Sequence, residues 1–299
     1  MKKLRFSLFL FVFCGIVILL LILFKYTPNP PFSRTIAPLL QALGKPIQSI
    51  DRSISRVLPI NDMDEKKLGE EIKALLPKNF ILNKESATTI KYLNSLVKSL
   101  CKTTRKPFEY KVFIIDGSPN ACALPGGIIC VTDRLLNILE NEAELVAVLG
   151  HEIGHIEHGH LFDAARGKMF RKKIAAIGIA KILGLVRGIT KFSFSKTQED
   201  EADEYGFRML LQNGYDPNAM SSSLKKLLSQ SKNLQKPDLL LDFMNSHPYI
   251  ELRIEKFLTL ALHWKKKHPQ EKYYLGKKNL DQKITFFENS FTEECGISQ

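Results

Sequence analysis

Apolar residues are spread very unevenly along the chain. Phe6 to Phe24 is nineteen residues without a formal charge, rich in Phe, Leu, Ile and Val, with Lys2, Lys3 and Arg5 ahead of it. That length just spans the hydrocarbon core of a bilayer. Secretory signal peptides have shorter apolar cores and end at a small-residue cleavage site. This run ends in Leu23-Phe24-Lys25-Tyr26, so an uncleaved transmembrane anchor is expected. Cys14 follows Phe13 rather than a small residue, which argues against a lipoprotein site. The clustered positive charge predicts a cytoplasmic N-terminus with the bulk of the chain outside, on the periplasmic side of a bacterial inner membrane.

Beyond the anchor the pattern changes. Pro28, Pro30, Pro31, Pro38, Pro46 and Pro59 interrupt any long periodicity over residues 25–60, which read as a linker. Tyr110–Ile115 and Ile128–Val131 read as strands, the second preceded by a Pro125-Gly126-Gly127 turn. Helical periodicity dominates after residue 132. Ile174–Thr190 is apolar but broken by Lys181 and Arg187, as in a buried or amphipathic helix near a membrane surface rather than a second span. The expected organisation is a basic segment 1–5, the anchor 6–24, the linker 25–60, one domain over 61–262 and a basic C-terminal extension 263–299. The fold class is α+β, predominantly helical, with a small sheet. Roughly 240 residues after the linker are enough to bury a core.

Inside that domain, Asn141 followed by Glu144 has the spacing of a capping box and places a helix start before Leu145, Val146, Val148 and Leu149. The helix then carries His151-Glu152-Ile153-Gly154-His155. Residues four apart share a helical face, so both imidazoles can converge on one Zn²⁺ with Glu152 beside them, the signature of a zinc hydrolase. Gly150 and Gly154 each cost roughly 1 kcal/mol of helix propensity relative to alanine, which close approach of another backbone or of substrate would explain.

A catalytic zinc needs a third protein ligand and an open position. The metzincin pattern is excluded: its third histidine would fall at Leu161, and its glycine position holds His158. His158 and His160 lie near the motif without the spacing of ligands, although His160 fits a supporting role. The acidic run Gln198-Glu199-Asp200-Glu201-Ala202-Asp203-Glu204-Tyr205-Gly206, capped by Ser195 or Thr197, is a better source.

Together, the two motifs resemble those of membrane-associated gluzincin peptidases of the HtpX and CAAX prenyl protease type. The resemblance covers roughly residues 65 to 260. It implies His151, His155 and Glu199 as zinc ligands, with Glu201 as the alternative one register step away, and Asp203 as a partner of a ligand histidine. It also implies that Asn120, Ala121, Cys122 and Ala123 form an edge strand that pairs with an extended substrate, with Cys122 where an aromatic is more usual. Read without the resemblance, the same stretch is an ordinary hairpin. Asn245-Ser246-His247-Pro248 with Arg253 resembles the family's late histidine motif, which implies that His247 reaches the mouth of the site to stabilise an oxyanion or to occlude the metal. Polypeptide substrates, misfolded or membrane-associated, follow from the same resemblance.

Composition adds less. The net charge of +12 is carried partly by Lys265-Lys266-Lys267 and Lys277-Lys278, a solvated helical surface by default, and nothing resembles a nucleic-acid-binding module. The five cysteines lack zinc-finger spacing. Cys122 and Cys130 are symmetric about Gly126 and can face each other, in a disulfide or as free thiols. Two rival classes remain: a binding or chaperone-like protein using the same groove without turnover, against which the intact Glu152 argues, and a structural zinc protein with a closed site, for which His247 or His158 would supply a fourth ligand.

Overall fold

A computed structural model describes residues 61–79, 87–161, 193–232 and 246–296. Helix α1 spans Asp62–Asn79 and α2 Ala87–Leu100. Three strands follow, β1 Lys111–Ile115, β2 Ala121–Leu124 and β3 Ile128–Thr132. Then come α3 Asp133–Ile138, α4 Glu142–Glu157, α5 Lys196–Gln212, α6 Asn218–Lys232 and α7 Ile250–Lys267. The chain closes with β4 Tyr273–Tyr274, α8 Lys277–Gln282 and β5 Cys295–Gly296. The architecture is α+β and mostly helical, as expected. None of the described helices is long and apolar enough to cross a membrane. The anchor read over Phe6–Phe24 and the apolar stretch Ile174–Thr190 lie outside the described residues.

The three-stranded sheet has the order β1-β3-β2. Strand β3 is central, parallel to β1 and antiparallel to β2, and every one of its residues is buried. The β2–β3 turn needs two left-handed residues, and Gly126 and Gly127 supply them at φ 79° and 84°. The sheet packs against α2 through Tyr92, Leu93, Leu96 and Val97 and against α4.

Helix α4 is buried over its whole length, glutamates included. Its start differs from the expected capping box in one half. Asn141 does accept from the Glu144 backbone N–H at 2.9 Å. The Glu144 carboxylate, however, accepts from the Glu140 N–H at 2.8 Å and from Lys226 Nζ at 2.7 Å, because a stronger cationic partner lies within reach. Glu142 accepts from Tyr92 Oη at 2.8 Å, Tyr215 Oη at 2.7 Å and the Phe286 N–H at 2.9 Å. At the far end Glu157 takes the Arg105 and Lys106 N–H groups and Tyr110 Oη. An unpaired buried carboxylate would cost several kcal/mol, so these contacts are what allow an acidic helix at the centre of the core.

The boundary expected at residue 262 falls inside α7, and the residues after α7 are tied into the core. Gly276 and Leu275 carbonyls accept from the first N–H groups of α4 at 3.0 and 2.9 Å.

Candidate metal centre and active site

Two helices meet here with almost no side chain between them. A Cβ added at Gly150 would lie 3.0 Å from Gly206 Cα, and one at Gly154 2.8 Å from the Ala202 carbonyl oxygen. A Cβ at Gly206 would in turn lie 2.8 Å from the His151 nitrogen. The glycines of α4 and the Ala202/Gly206 pair of α5 are each spaced by four, so they form matching flat stripes. Backbone of α5, rather than substrate, accounts for the propensity cost. Because Glu199, Ala202, Asp203 and Gly206 share one face of α5, the crossing delivers both carboxylates to the two histidines. The local cap is sound, with Ser195 and Gln198 making a reciprocal capping box.

Four side chains turn donor atoms to one point. His151 Nε2 and His155 Nε2 are 3.0 Å apart, and Glu199 carboxylate oxygens lie 3.3 Å from His155 Nε2 and 3.7 Å from His151 Nε2. His247 Nδ1 lies 3.1 Å from His151 Nε2 and 3.0 Å from Glu199 Oε1. Donors held tetrahedrally at zinc distances would be about 3.3 Å apart, so the spacing fits that ion. The protons make the same point. His151 Nδ1 sits 2.8 Å from Asp203 Oδ1 and has its proton there, which leaves Nε2 a lone pair facing a carboxylate and two further nitrogens. All four residues are at most 3% exposed. Such a gathering of lone pairs away from water calls for a cation.

Electrostatics around the donors follow from one residue that sequence reasoning underweighted. Arg253, buried on α7, grips Asp203 with Nε and Nη2 at 2.8 and 2.7 Å and reaches Glu199 Oε2 with Nη1 at 2.6 Å. Burial alone would raise the Glu199 carboxyl, but the charges of His247, Arg253 and His151 hold it well below its ordinary value. Asp203 is likewise lowered, burial being outweighed by Arg253 and by the His151 hydrogen bond. Burial depresses His151 too, yet its bond to Asp203 and the charge of Glu199 raise it overall. His155 has no such direct carboxylate at Nδ1, and burial leaves it well below its ordinary value despite Glu199.

Glu152 stands next to this set without joining it. It is 1% exposed, its Oε1 lies 3.8 Å from His247 Nε2, and that oxygen has no hydrogen-bond partner among the described residues. A buried acceptor left open in this way suits a water or substrate group. Cys122, on the edge strand, lies near enough to feel the Glu152 charge. Its hydrogen bond with Cys130, its burial and that charge all push its thiol well above its ordinary value. Cys122 and Cys130 face each other in register, and Cys101, Cys122, Cys130 and Cys295 are all free. Asn120, just before β2, and Ala121 and Ala123 on it are buried, and β2 has β3 on one side and no strand on the other among the described residues.

Two neighbours complete the surroundings of His155: Phe194, which carried no sequence signal beyond its residue type, and His160, which the sequence placed near the motif in a supporting role. Phe194 stacks on His155 at 3.9 Å between ring centroids and donates its N–H to the Ser246 carbonyl at 3.1 Å. His160 sits 2.9 Å from His155 through the two Nδ1 atoms and 2.9 Å from Glu201 through Nε2. Glu201 therefore faces His160 and not the four-donor centre. His158 ends α4 as its C-cap and is not among the four donors. A separate cavity of about 740 Å³ is lined by Lys102, Arg105, His158, Tyr205 and Arg208, and none of the four donors borders it.

Comparison with known proteins agrees with this geometry. The chain is 29% identical over 229 residues to a beta-barrel assembly-enhancing protease of Yersinia pestis, a match covering 68% of this chain and 46% of the relative. It is 26% identical over 189 residues to the metalloprotease LoiP of Escherichia coli, covering 59% of this chain and 74% of that one. Against the mitochondrial metalloendopeptidase OMA1 of Arabidopsis thaliana the identity is 30% over 134 residues, covering 43% and 27%. The chain thus spans less than half the length of the beta-barrel assembly-enhancing protease it matches. Residues 87–261 match the model of peptidase family M48. That match takes in the helix crossing, the paired histidines, the carboxylates of α5 and the arginine that neutralises them, and the chain belongs to peptidase family M48, a family of zinc metallopeptidases.

Proposed function

We propose that this chain is a membrane-anchored, zinc-dependent endopeptidase that hydrolyses peptide bonds of protein substrates, misfolded or membrane-associated ones in particular. The observation that carries the reading is the convergence of His151, His155 and Glu199 on one buried point, with an unpartnered Glu152 oxygen beside it. Bound there, zinc would supply Lewis acidity and bring the pKa of a water to about 7. Glu152 takes the proton of the attacking water and passes it to the leaving amine, a role worth roughly 10²–10⁴-fold in rate. Asp203 holds the His151 ring and its proton in place, and Arg253 keeps both Asp203 and Glu199 ionised in a dry site. The segment from Asn120 through Ala123, which is the start of β2 with the residue before it, would bind an extended peptide along the side of β2 away from β3, with the backbone groups of Asn120 themselves held by Thr132. The anchor Phe6–Phe24 would place this machinery on the extracytoplasmic face of the membrane.

Zinc content measured together with cleavage of an unfolded protein such as casein, with and without chelator, tests this reading. One zinc per chain and chelator-sensitive cleavage are expected. Stoichiometric zinc with no turnover would leave a binding protein instead.

A latent form of the same enzyme is favoured by one further observation. His247 stands as a fourth donor at 3.0 Å from Glu199 and 3.1 Å from His151, where an open position is needed for catalysis. On this reading His247 withdraws before substrate enters. His247→Phe then raises kcat. A fall in kcat at constant KM would instead make His247 an oxyanion donor used only in the transition state.

A further inference from the structure

His151 has a carboxylate on its outer nitrogen, whereas His155 has another imidazole there. The outer nitrogen of His155 lies 2.9 Å from Nδ1 of His160, whose Nε2 lies 2.9 Å from Glu201 Oε2. His155 and His160 are both fully buried. We propose that Glu201, acting through His160, is a positioning residue that keeps the proton of His155 on Nδ1 and so leaves Nε2 free for the metal.

Among the described residues, the proton count supports one arrangement. His155 Nε2 faces His151 Nε2 and Glu199 at 3.0 and 3.3 Å, so it is the nitrogen turned to the centre, and the proton of the neutral ring belongs on Nδ1. That N–H points at His160 Nδ1, which must then be a lone pair. The single proton of His160 is left on Nε2, where it meets the Glu201 carboxylate. Two N–H groups find two acceptors. The opposite tautomer of His160 would set two N–H groups against each other at 2.9 Å and leave the carboxylate facing a lone pair. With neither ring reached by solvent, water does not repair that mismatch. Each ligand histidine is thus oriented by an acidic side chain of α5, directly by Asp203 for His151 and through an imidazole by Glu201 for His155, and both pairs depend on the same helix crossing.

His158, His160 and Glu201 also bring donor atoms within 4.8 Å of one another. A second cation held there would take the Nε2 lone pair of a neutral His160 and move its proton to Nδ1, against that of His155. The two uses exclude each other, and the completed hydrogen-bond chain favours the positioning role.

The inference rests on the zinc reading of the site, and the test separates the two. Zinc affinity of the full chain is measured by chelator competition for wild type, Glu201→Ala and Glu201→Gln. The alanine variant is expected to bind zinc about 10- to 100-fold more weakly, as when such a supporting contact is lost. The glutamine variant, which keeps an oxygen to accept from His160, is expected to restore most of that affinity. Two-bond nitrogen–proton NMR of the ¹⁵N-histidine-labelled, zinc-loaded wild type needs no variant and is expected to find His160 protonated on Nε2, its signals identified by their loss in His160→Gln. Unchanged affinity in Glu201→Ala, glutamine as weak as alanine, or His160 protonated on Nδ1 would each overturn the proposal. So would a second zinc that disappears in His158→Ala. Wild-type protein with no zinc at all would instead sink the reading of the metal centre itself.

Discussion

Two His-His-Glu sets sit side by side on α4, the turn after it and α5: His151, His155 and Glu199 in one, His158, His160 and Glu201 in the other. The first also has His247 as a fourth donor; the His-His-Glu core is common to both, and its geometry is not. In the first set the donors come from within two continuous helices whose backbones touch, so two imidazoles and a carboxylate meet at one buried point. In the second, α4 has already ended at Glu157, and Gly159 at φ 72° turns the chain before His160. That turn aims one nitrogen of His160 at His155 and the other at Glu201. Donor types do not by themselves make a metal site. What decides it is whether the second nitrogen of each imidazole has a partner that leaves the first one open.

The largest effect expected separates the two glutamates. Glu199→Ala should release zinc and abolish proteolysis, whereas Glu201→Ala should still bind zinc, more weakly, as zinc content by atomic absorption will show. If Glu199→Ala holds zinc as wild type does, the comparison is inverted and the ligand lies two residues on.

Next in size is Glu152→Gln, which keeps shape and hydrogen bonding but cannot take a proton. Casein cleavage should fall by at least ~10²-fold with zinc content and thermal stability unchanged. Near-native turnover in the zinc-loaded variant would remove Glu152 from the chemistry.

Arg253→Met tests the cationic partner shared by Asp203 and Glu199. Removing one member of a buried ion cluster leaves the others uncompensated, at a cost of about 3–5 kcal/mol, so the unfolding midpoint in denaturant should drop and zinc affinity should weaken. An unaltered midpoint would mean that Asp203 and Glu199 need no countercharge.

The helix crossing shared by both sets can be opened on its own. Gly154→Ala puts a methyl group 2.8 Å from a backbone oxygen of α5. Overpacking of this kind costs about 1–3 kcal/mol and should weaken zinc binding, whereas Gly214→Ala, an exposed glycine with nothing near it, should leave zinc affinity alone.

The smallest effect concerns the opposite end of α4. Burial raises the Glu142 carboxyl above its ordinary 4.5 in spite of bonds from Tyr215, Phe286 and Tyr92. Above pH 4.5 the unfolded chain releases this proton while the folded chain keeps it. The contribution of Glu142 to stability is therefore full below that pH and is lost as pH rises through the folded value. Glu142→Gln should flatten this part of the stability profile, read from unfolding midpoints between pH 4 and about 7, without touching zinc content. An identical profile in the variant would refute the assignment.

What sequence alone determined is everything set within a turn or two of chain. The spacing of His151 and His155, a helix start at Asn141 and another at Ser195 or Thr197, the glycine turn between β2 and β3 and the shared face of Glu199 and Asp203 all follow from local sequence signals. Even the opposition of Cys122 and Cys130 follows from symmetry about the turn. The resemblance to zinc peptidases drew on the same local motifs. What only the tertiary structure decided is which side chains from distant elements meet. Arg253 comes to Asp203 from 50 positions away, Phe194 lies over His155, Glu142 is anchored by tyrosines of α2 and of the turn after α5, and Glu201 turns to His160 rather than to the metal centre. A carboxylate on an acidic helix has the same local signature whether it faces zinc, an imidazole or water, because helix periodicity sets its direction from the axis and not the neighbour it finds. That neighbour was set by the close contact of Gly150 and Gly154 with Ala202 and Gly206, a long-range packing event with no periodicity of its own.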